Sequence, residues 1–360
     1  MFKSKRMKFG LIGGGMAGPL SAGALNDIEE AELVAFADIK EDVCKNFCKK
    51  YNIKDWYTDY KEILQRDDID AVCIATPPNL HEEMVVNAAK AGKHIMCEKP
   101  IAINLLEADR MIKACEEANV TFGVIVLCRY YDAAEKIKKA LDEKRLGKIL
   151  LVTLTGKSFR NDEYYASGAW RGTWKGEGGG SLMSQTIHFI DLMLYFIGEV
   201  DSLSGRYLTT IHKDIEVDDM AVAQFKFKNG AIGVLDSSTA VIPGYPRILA
   251  IHGEKGTIIM DEDKIKEWKV EGMDEEDFIS KDKEAAKTIT RAGYVETEFH
   301  RRQLLDFMKA IVEGKKQRFD ATDERIGIEL IRAIYQSGDT GKEVKFPVID
   351  REEYGKETRM

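Results

Sequence analysis

The stretch "MKFGLIGGGMAGPLSAGAL", Met7–Leu25, decides how the first half of the chain is read. Phe9 to Ile12 form a short apolar run, and the glycines that follow carry the chain into a segment with small residues along one side. A strand, a tight turn and a helix are predicted, because glycine alone tolerates the turn and the close approach of backbone that such a junction needs. Another apolar run, "AELVAFAD", ends at Asp38. Strand, helix and strand at this spacing make a parallel βαβ unit.

The same grammar continues at "DAVCIAT" (Ala71 to Thr76), "HIMCEKP" (His94 to Cys97) and "TFGVIVL" (Thr121 to Leu127), with amphipathic helical stretches between them. Near-continuous apolar strands of this kind are buried on both faces. A doubly wound α/β domain is therefore expected over 1–127. After Arg129 the pattern changes to long alternating stretches at "KILLVTLTGKSF", "MAVAQFKFKNGAIGVLDSSTA" and "RILAIHGEKGTIIMDED". The "KNG" between two of them is a hairpin signal. An α+β domain with an open, mostly antiparallel sheet is expected over 128–346, closed by two helices and followed by a tail over 347–360. The charged segment from Lys266 to Arg291 reads as an exposed excursion, and its acidic "DEEDFISKDKE" as solvated surface.

Composition narrows the function classes. A net charge of −8 argues against a polyanionic partner such as nucleic acid, and the basic "KSKR" near the start is too short to reverse it. That run reads as a solvated tail, with Met7 a candidate natural start. No apolar run reaches the roughly 20 residues that span a bilayer, so a cytoplasmic protein without membrane partner is expected. The six cysteines lie in the first 128 residues without a CxxC pair, and no metal site is expected.

Gly13, Gly15 and Gly18 give GxGxxG between strand and helix, with Asp38 twenty residues beyond the last of them. The arrangement suits a dinucleotide: the loop from Gly13 through Met16 and Ala17 to Gly18 cradles the pyrophosphate at a helix N-terminus, and Asp38 accepts from the ribose hydroxyls. An acid there disfavours a 2′-phosphate, so NAD is expected over NADP, although Lys40 stands close by. Together with "IATPPNLHEEMVVNAAKAGKHIMCEKPIA" and the downstream "WRGTWKGEGGG", histidine and aspartate, these residues make nearly the whole chain resemble the Gfo/Idh/MocA family of nicotinamide-dependent oxidoreductases.

The resemblance implies a Rossmann domain followed by an α/β domain whose sheet carries the substrate on one face and often an oligomer interface on the other. It gives Thr76, Pro77, Asn79 and His81 to a loop along the cofactor, and Glu98, Lys99 and Pro100 to the family's EKP motif, in which the lysine reaches the nicotinamide ribose and the substrate. Arg129 matches an arginine that pairs with cofactor, with substrate, or at the domain junction.

In "EGGGSLMSQTIHFIDLML", Glu177–Leu194, the apolar positions predict a largely buried helix on which Ser184, Gln185, His188 and Asp191 share a face. Taken alone, His188 is better explained by packing than by catalysis. Carried over from the family, it is the acid or base that moves the hydroxyl proton, with Lys99 supporting the developing alkoxide. Many members hold an aspartate where this chain has Ser184, so the partner of His188 stays open, with Asp191 a candidate. Tyr165, Trp170 and Arg171, in a loop rich in aromatics, together with Ser184 and Gln185, are the expected substrate contacts, since aromatic faces stack on sugar rings. Tyr164, Trp174, Tyr245 and Arg247 are weaker candidates.

The expectation is an NAD-dependent dehydrogenase of a sugar, cyclic polyol or sugar derivative, working as a homodimer or homotetramer. Alternatives are a reductase or dehydrogenase of a non-carbohydrate carbonyl or dihydrodiol, and a dinucleotide-binding sensor without turnover.

Overall fold

The computed structural model describes residues 6–275, 278 and 294–348, which divide into two compact units. The first holds 6–102, 107–127 and 294–324. Its elements run β1 (Met7–Ile12), α1 (Gly18–Asn26), β2 (Ala31–Ala37), α2 (Glu41–Tyr51), β3 (Asp55–Tyr57), α3 (Lys61–Leu64), β4 (Ala71–Ile74), α4 (His81–Lys90), β5 (His94–Glu98), α5 (Leu105–Glu117) and β6 (Phe122–Ile125). The strands pair in parallel in the order β3-β2-β1-β4-β5-β6, the arrangement of a dinucleotide-binding sheet. β1 and β4 to β6 are buried nearly throughout, as their continuous apolar runs require.

The helix Tyr294–Glu313 belongs to this unit, although its place in the chain suggested the second domain. Leu304, Phe307 and Met308 sit in the same core as Phe9, Leu25 and Phe36. β6 is the last strand in the sheet order, and two glutamine side chains bind its free edge. The Gln303 carboxamide donates to the Val124 carbonyl (2.6 Å) and accepts from the Val126 N–H (3.1 Å), and Gln317 donates to the Phe122 carbonyl. Two glutamines thus satisfy the edge strand that another strand would otherwise have to cover.

His94 on β5 makes the stability of this unit pH-dependent. Its Nδ1 accepts from the Thr121 N–H (3.0 Å), which requires that nitrogen to be unprotonated, and burial pushes its pKa down against the pull of Asp70. A histidine pKa lowered on folding means that the unfolded chain binds more protons, so this contribution to stability is complete above about pH 6.5 and is lost as pH falls below that value and through the lower folded pKa. The melting temperature is therefore expected to drop between pH 7 and pH 5. His94→Asn should flatten that drop, and an unchanged slope in this variant would show that His94 does not cause it.

The second unit contains α6 (Asp132–Asp142), β7 (Ile149–Lys157), α7 (Asp162–Ala166), α8 (Trp174–Glu177), α9 (Ile187–Ile197), β8 (Val200–Leu208), β9 (Met220–Phe227), β10 (Ile232–Ser238), β11 (Ile248–Gly253), β12 (Gly256–Asp261), β13 (Lys264–Val270) and β14 (Val344–Lys345). Its eight strands run in the order β13-β12-β11-β7-β10-β9-β8-β14, antiparallel except where β7 lies beside β10. The "KNG" turn joins β9 to β10 with Gly230 at φ +89°, as expected. In contrast, Lys264–Val270 is a strand and not an excursion: Ile265, Trp268 and Val270 are buried while the charged residues between them face outward. The rest of the charged segment, most of "DEEDFISKDKE", "KSKR" except Arg6, and the tail beyond Val348 lie outside the described residues. Among the described residues, no helix is long and apolar enough to cross a membrane, and no cluster of three or more His, Cys, Asp or Glu side chains could hold a metal.

Candidate active site

In the first unit the glycine loop has the shape that a dinucleotide needs. Gly13 sits at φ +102°, where a Cβ would come 2.5 Å from the Ala75 carbonyl oxygen, and a Cβ on Gly18 would lie 2.4 Å from that of Gly13. Both contacts fall below any real Cβ distance, so the turn closes only with glycine. At Gly15 nothing stands within 4 Å of where a Cβ would be, which leaves the backbone open to an approaching phosphate. The N–H groups of Gly15, Met16 and Ala17 have no hydrogen-bond partner among the described residues, and they precede the first turn of α1. Asp38 is held by the Gly14 N–H (2.9 Å) and the Lys40 N–H (3.0 Å), which fixes the half-buried carboxylate with acceptor capacity to spare. The loop meets the steric requirements of NAD.

The loops after β4 and β5 carry the other expected cofactor contacts. Thr76 and Pro77 are half-buried, Asn79 is exposed, and Lys99 is half-buried at the end of β5. His81 departs from its expected role. It is wholly buried, with one ring nitrogen 2.9 Å from the Thr76 carbonyl and the other 3.0 Å from that of Pro100. Burial pushes its pKa down against the pull of both carbonyls. The ring therefore ties together the two loops that bear Thr76 and Lys99 and has no edge left for a cofactor. Glu98 is likewise buried: it accepts from the Lys99 N–H (3.3 Å) and stands 3.7 Å from His300 Nε2, which makes it a support of the turn.

In the second unit the segment bearing His188 is not one regular helix. Leu182–Thr186 form a π turn that leads into α9, and the extra residue changes which side chains align. Such insertions recur at functional sites. The buried Asp218 carboxylate fixes the entry by accepting from the Gly180 N–H (2.8 Å), the Leu182 N–H (3.2 Å), the Ser181 hydroxyl (2.6 Å) and the Tyr335 hydroxyl (2.6 Å). Burial pushes its pKa up against these four donors. Gly180 is obligatory here, since a Cβ would lie 1.8 Å from the Asp218 carbonyl oxygen.

The four polar residues expected to share a face instead reach different partners. The Ser184 hydroxyl lies 2.6 Å from Glu177 Oε1 and 2.9 Å from the Gly180 carbonyl. Gln185 accepts from Arg160 Nη2 (2.6 Å) and donates to the Tyr164 hydroxyl (3.1 Å). Asp191 is held bidentately by Arg129, Nε at 2.8 Å and Nη2 at 2.6 Å, with both side chains buried. Arg129 is thus held in a buried ion pair with Asp191. His188 remains half-buried at the first turn of α9.

Of the aromatic loop, Tyr165 is half-buried and bonded to Thr239 (2.8 Å), and Trp170 is half-buried beside the Arg171 guanidinium. Arg171 is internal scaffolding: it donates to the Tyr164 hydroxyl (2.6 Å) and the Ser167 hydroxyl (3.0 Å), and its side chain is only 8% exposed. Two residues were missed. Glu177 is a buried carboxylate beside Ser184, and Arg160 caps Gln185. An acid directly before three glycines was the available signal for the first; a single arginine in "KSFRND" gave none for the second.

The profile of the oxidoreductase family with NAD-binding Rossmann fold, GFO/IDH/MocA, matches residues 7–126, and that of the GFO/IDH/MocA C-terminal domain matches 134–259. The chain belongs to the GFO/IDH/MocA family. It is 29% identical to a myo-inositol 2-dehydrogenase of Thermotoga maritima over 350 residues, 95% of this chain and 99% of that one. A levoglucosan dehydrogenase of Pseudarthrobacter phenanthrenivorans is 25% identical over 86% of this chain and 90% of its own. Among solved structures, the WlbA dehydrogenase of Bordetella pertussis in complex with NADH and UDP-GlcNAcA superposes with a TM-score of 0.87 at 27% identity, covering 97% of this chain and all of that one. The chain is an NAD-binding oxidoreductase of this family.

Proposed function

We propose that the protein transfers a hydride between NAD and a secondary alcohol of a sugar, cyclic polyol or sugar derivative. The carrying observation is His188, half-buried at the start of a helix that Asp218 pins and beside a polar rim of Ser184, Gln185 and Tyr164. The named relatives are dehydrogenases of inositol and levoglucosan and one solved in complex with UDP-GlcNAcA, which supports a ring bearing hydroxyl groups as substrate. Nicotinamide, when bound, supplies the hydride acceptor. His188 takes the hydroxyl proton, for which a group titrating near neutrality suits, and the Lys99 ammonium stabilises the alkoxide as charge develops on it. Ser184 brings no charge of its own, but the Glu177 carboxylate to which it is bonded places a negative group next to it.

The exposed face of the second sheet supports a homo-oligomer. Val222, Ile232 and Val234 on β9 and β10 are 49%, 58% and 44% exposed, where the outward face of a monomer's sheet would be polar.

The purified protein is expected to reduce NAD with at least one member of a panel of inositols, sugars, anhydrosugars and sugar acids, and to bind NADH more tightly than NADPH. No reduction with any of them would sink the redox reading, and preference for NADPH would overturn the role of Asp38.

A further inference from the structure

We propose that the substrate of this site carries a carboxylate, as a sugar acid does, and that Arg160 receives it; the inference rests on the sugar reading above and narrows it. Arg160 is held in place by its own backbone. Its N–H donates to the Thr239 carbonyl (2.9 Å), and its carbonyl is 2.8 Å from Nε2 of the buried His212. The guanidinium sits 5.1 Å from the centre of the Tyr164 ring, with Nη1 donating to the Phe159 carbonyl (3.1 Å) and Nη2 to Gln185 Oε1 (2.6 Å). Nε is buried without a hydrogen-bond partner.

All of these partners are neutral. The neighbouring cations are matched: Arg247 pairs with Glu262 (2.7 Å), Lys157 with Asp236 (3.0 Å), and Arg171 has Glu177 at 3.9 Å. Among the described residues no carboxylate pairs with Arg160. A half-buried cation with its Nε buried and no carboxylate beside it is costly to keep, and a bound anion offsets that cost. Each terminal nitrogen still carries one proton beyond the bonds above, so the guanidinium retains donors for the oxygens of a carboxylate. Gln185, which Arg160 contacts, lies three residues before His188, so the acidic group would bind on the Gln185 side of the reacting alcohol.

The test compares ligands that differ in the acid alone. Thermal shift and calorimetry in the presence of NADH would use D-glucuronate against D-glucose, with glucose 6-phosphate as a third probe. Glucuronate is expected to bind about 10- to 100-fold more tightly than glucose, the usual worth of a charge-assisted contact, and Arg160→Gln should bring that ratio close to one. Arg160→Lys, which keeps the charge and loses the fork, should give an intermediate ratio and covers the case in which Arg160→Gln does not fold. Equal binding of glucuronate and glucose, absence of binding by both, or a ratio untouched in either variant overturns the proposal; preference for the phosphate overturns the carboxylate. Arg160-dependent acid binding without NAD reduction would uphold this inference while the redox reading fails, and reduction of NAD by neutral polyols without acid preference would do the reverse.

Discussion

His188→Ala is expected to lower kcat by about 10²- to 10⁴-fold with whichever alcohol reduces NAD, the usual worth of a positioned acid or base. The affinity for NADH should stay within about twofold, because the glycine loop and Asp38 belong to the first unit and the replaced side chain to the second. A pH profile separates a proton-transfer role from a packing one. The wild-type rate should bend near the pKa of a histidine, and in the variant the residual rate should instead rise with hydroxide or with added imidazole. Full activity in His188→Ala would remove the residue from the chemistry, and a loss of rate with an unaltered bend would assign the titration to another group.

The first sheet was legible because buried parallel strands write themselves as apolar runs and the glycine turn has a steric reason at Gly13 and Gly18. What escaped has physical causes. β13 mixes Lys and Glu with Ile265, Trp268 and Val270, and its register slips opposite Ile259 and Met260, so the buried positions fall three and then two residues apart and the period of two that marks a strand is broken. The helix Tyr294–Glu313 joins the first unit through Gln303, and a glutamine that serves a strand 179 residues away leaves no local mark. The π turn at Leu182–Thr186 was equally hidden, since its residues are as apolar as those of a regular helix. It matters most for the site, because the shared face drawn on a regular helix made Asp191 a candidate partner of His188, whereas the structure pairs it with Arg129.

That ion pair carries the largest expected effect on stability. Arg129 and Asp191 are 6% and 2% exposed, and the guanidinium also lies 4.4 Å from the centre of the Tyr195 ring on the same helix as Asp191. A buried pair of this kind gains little over apolar residues of equal volume, because desolvation consumes most of the attraction. Breaking it is another matter. Arg129→Ala leaves the Asp191 carboxylate in a poorly hydrated place without its guanidinium, which costs about 3–5 kcal/mol. With two units present, unfolding need not be a single step, so the loss is best followed as the shift of the urea transition seen by tryptophan fluorescence with Trp56 of the first unit replaced by Phe, which leaves Trp170, Trp174 and Trp268 of the second unit as reporters. Arg129→Met combined with Asp191→Leu should recover most of that shift, since no uncompensated charge remains. If the double replacement is as damaging as Arg129→Ala, the pair is worth more than its desolvation and α9 depends on the charge itself; if Arg129→Ala moves the transition by less than about 1 kcal/mol, a surface pair's value, the burial argument fails.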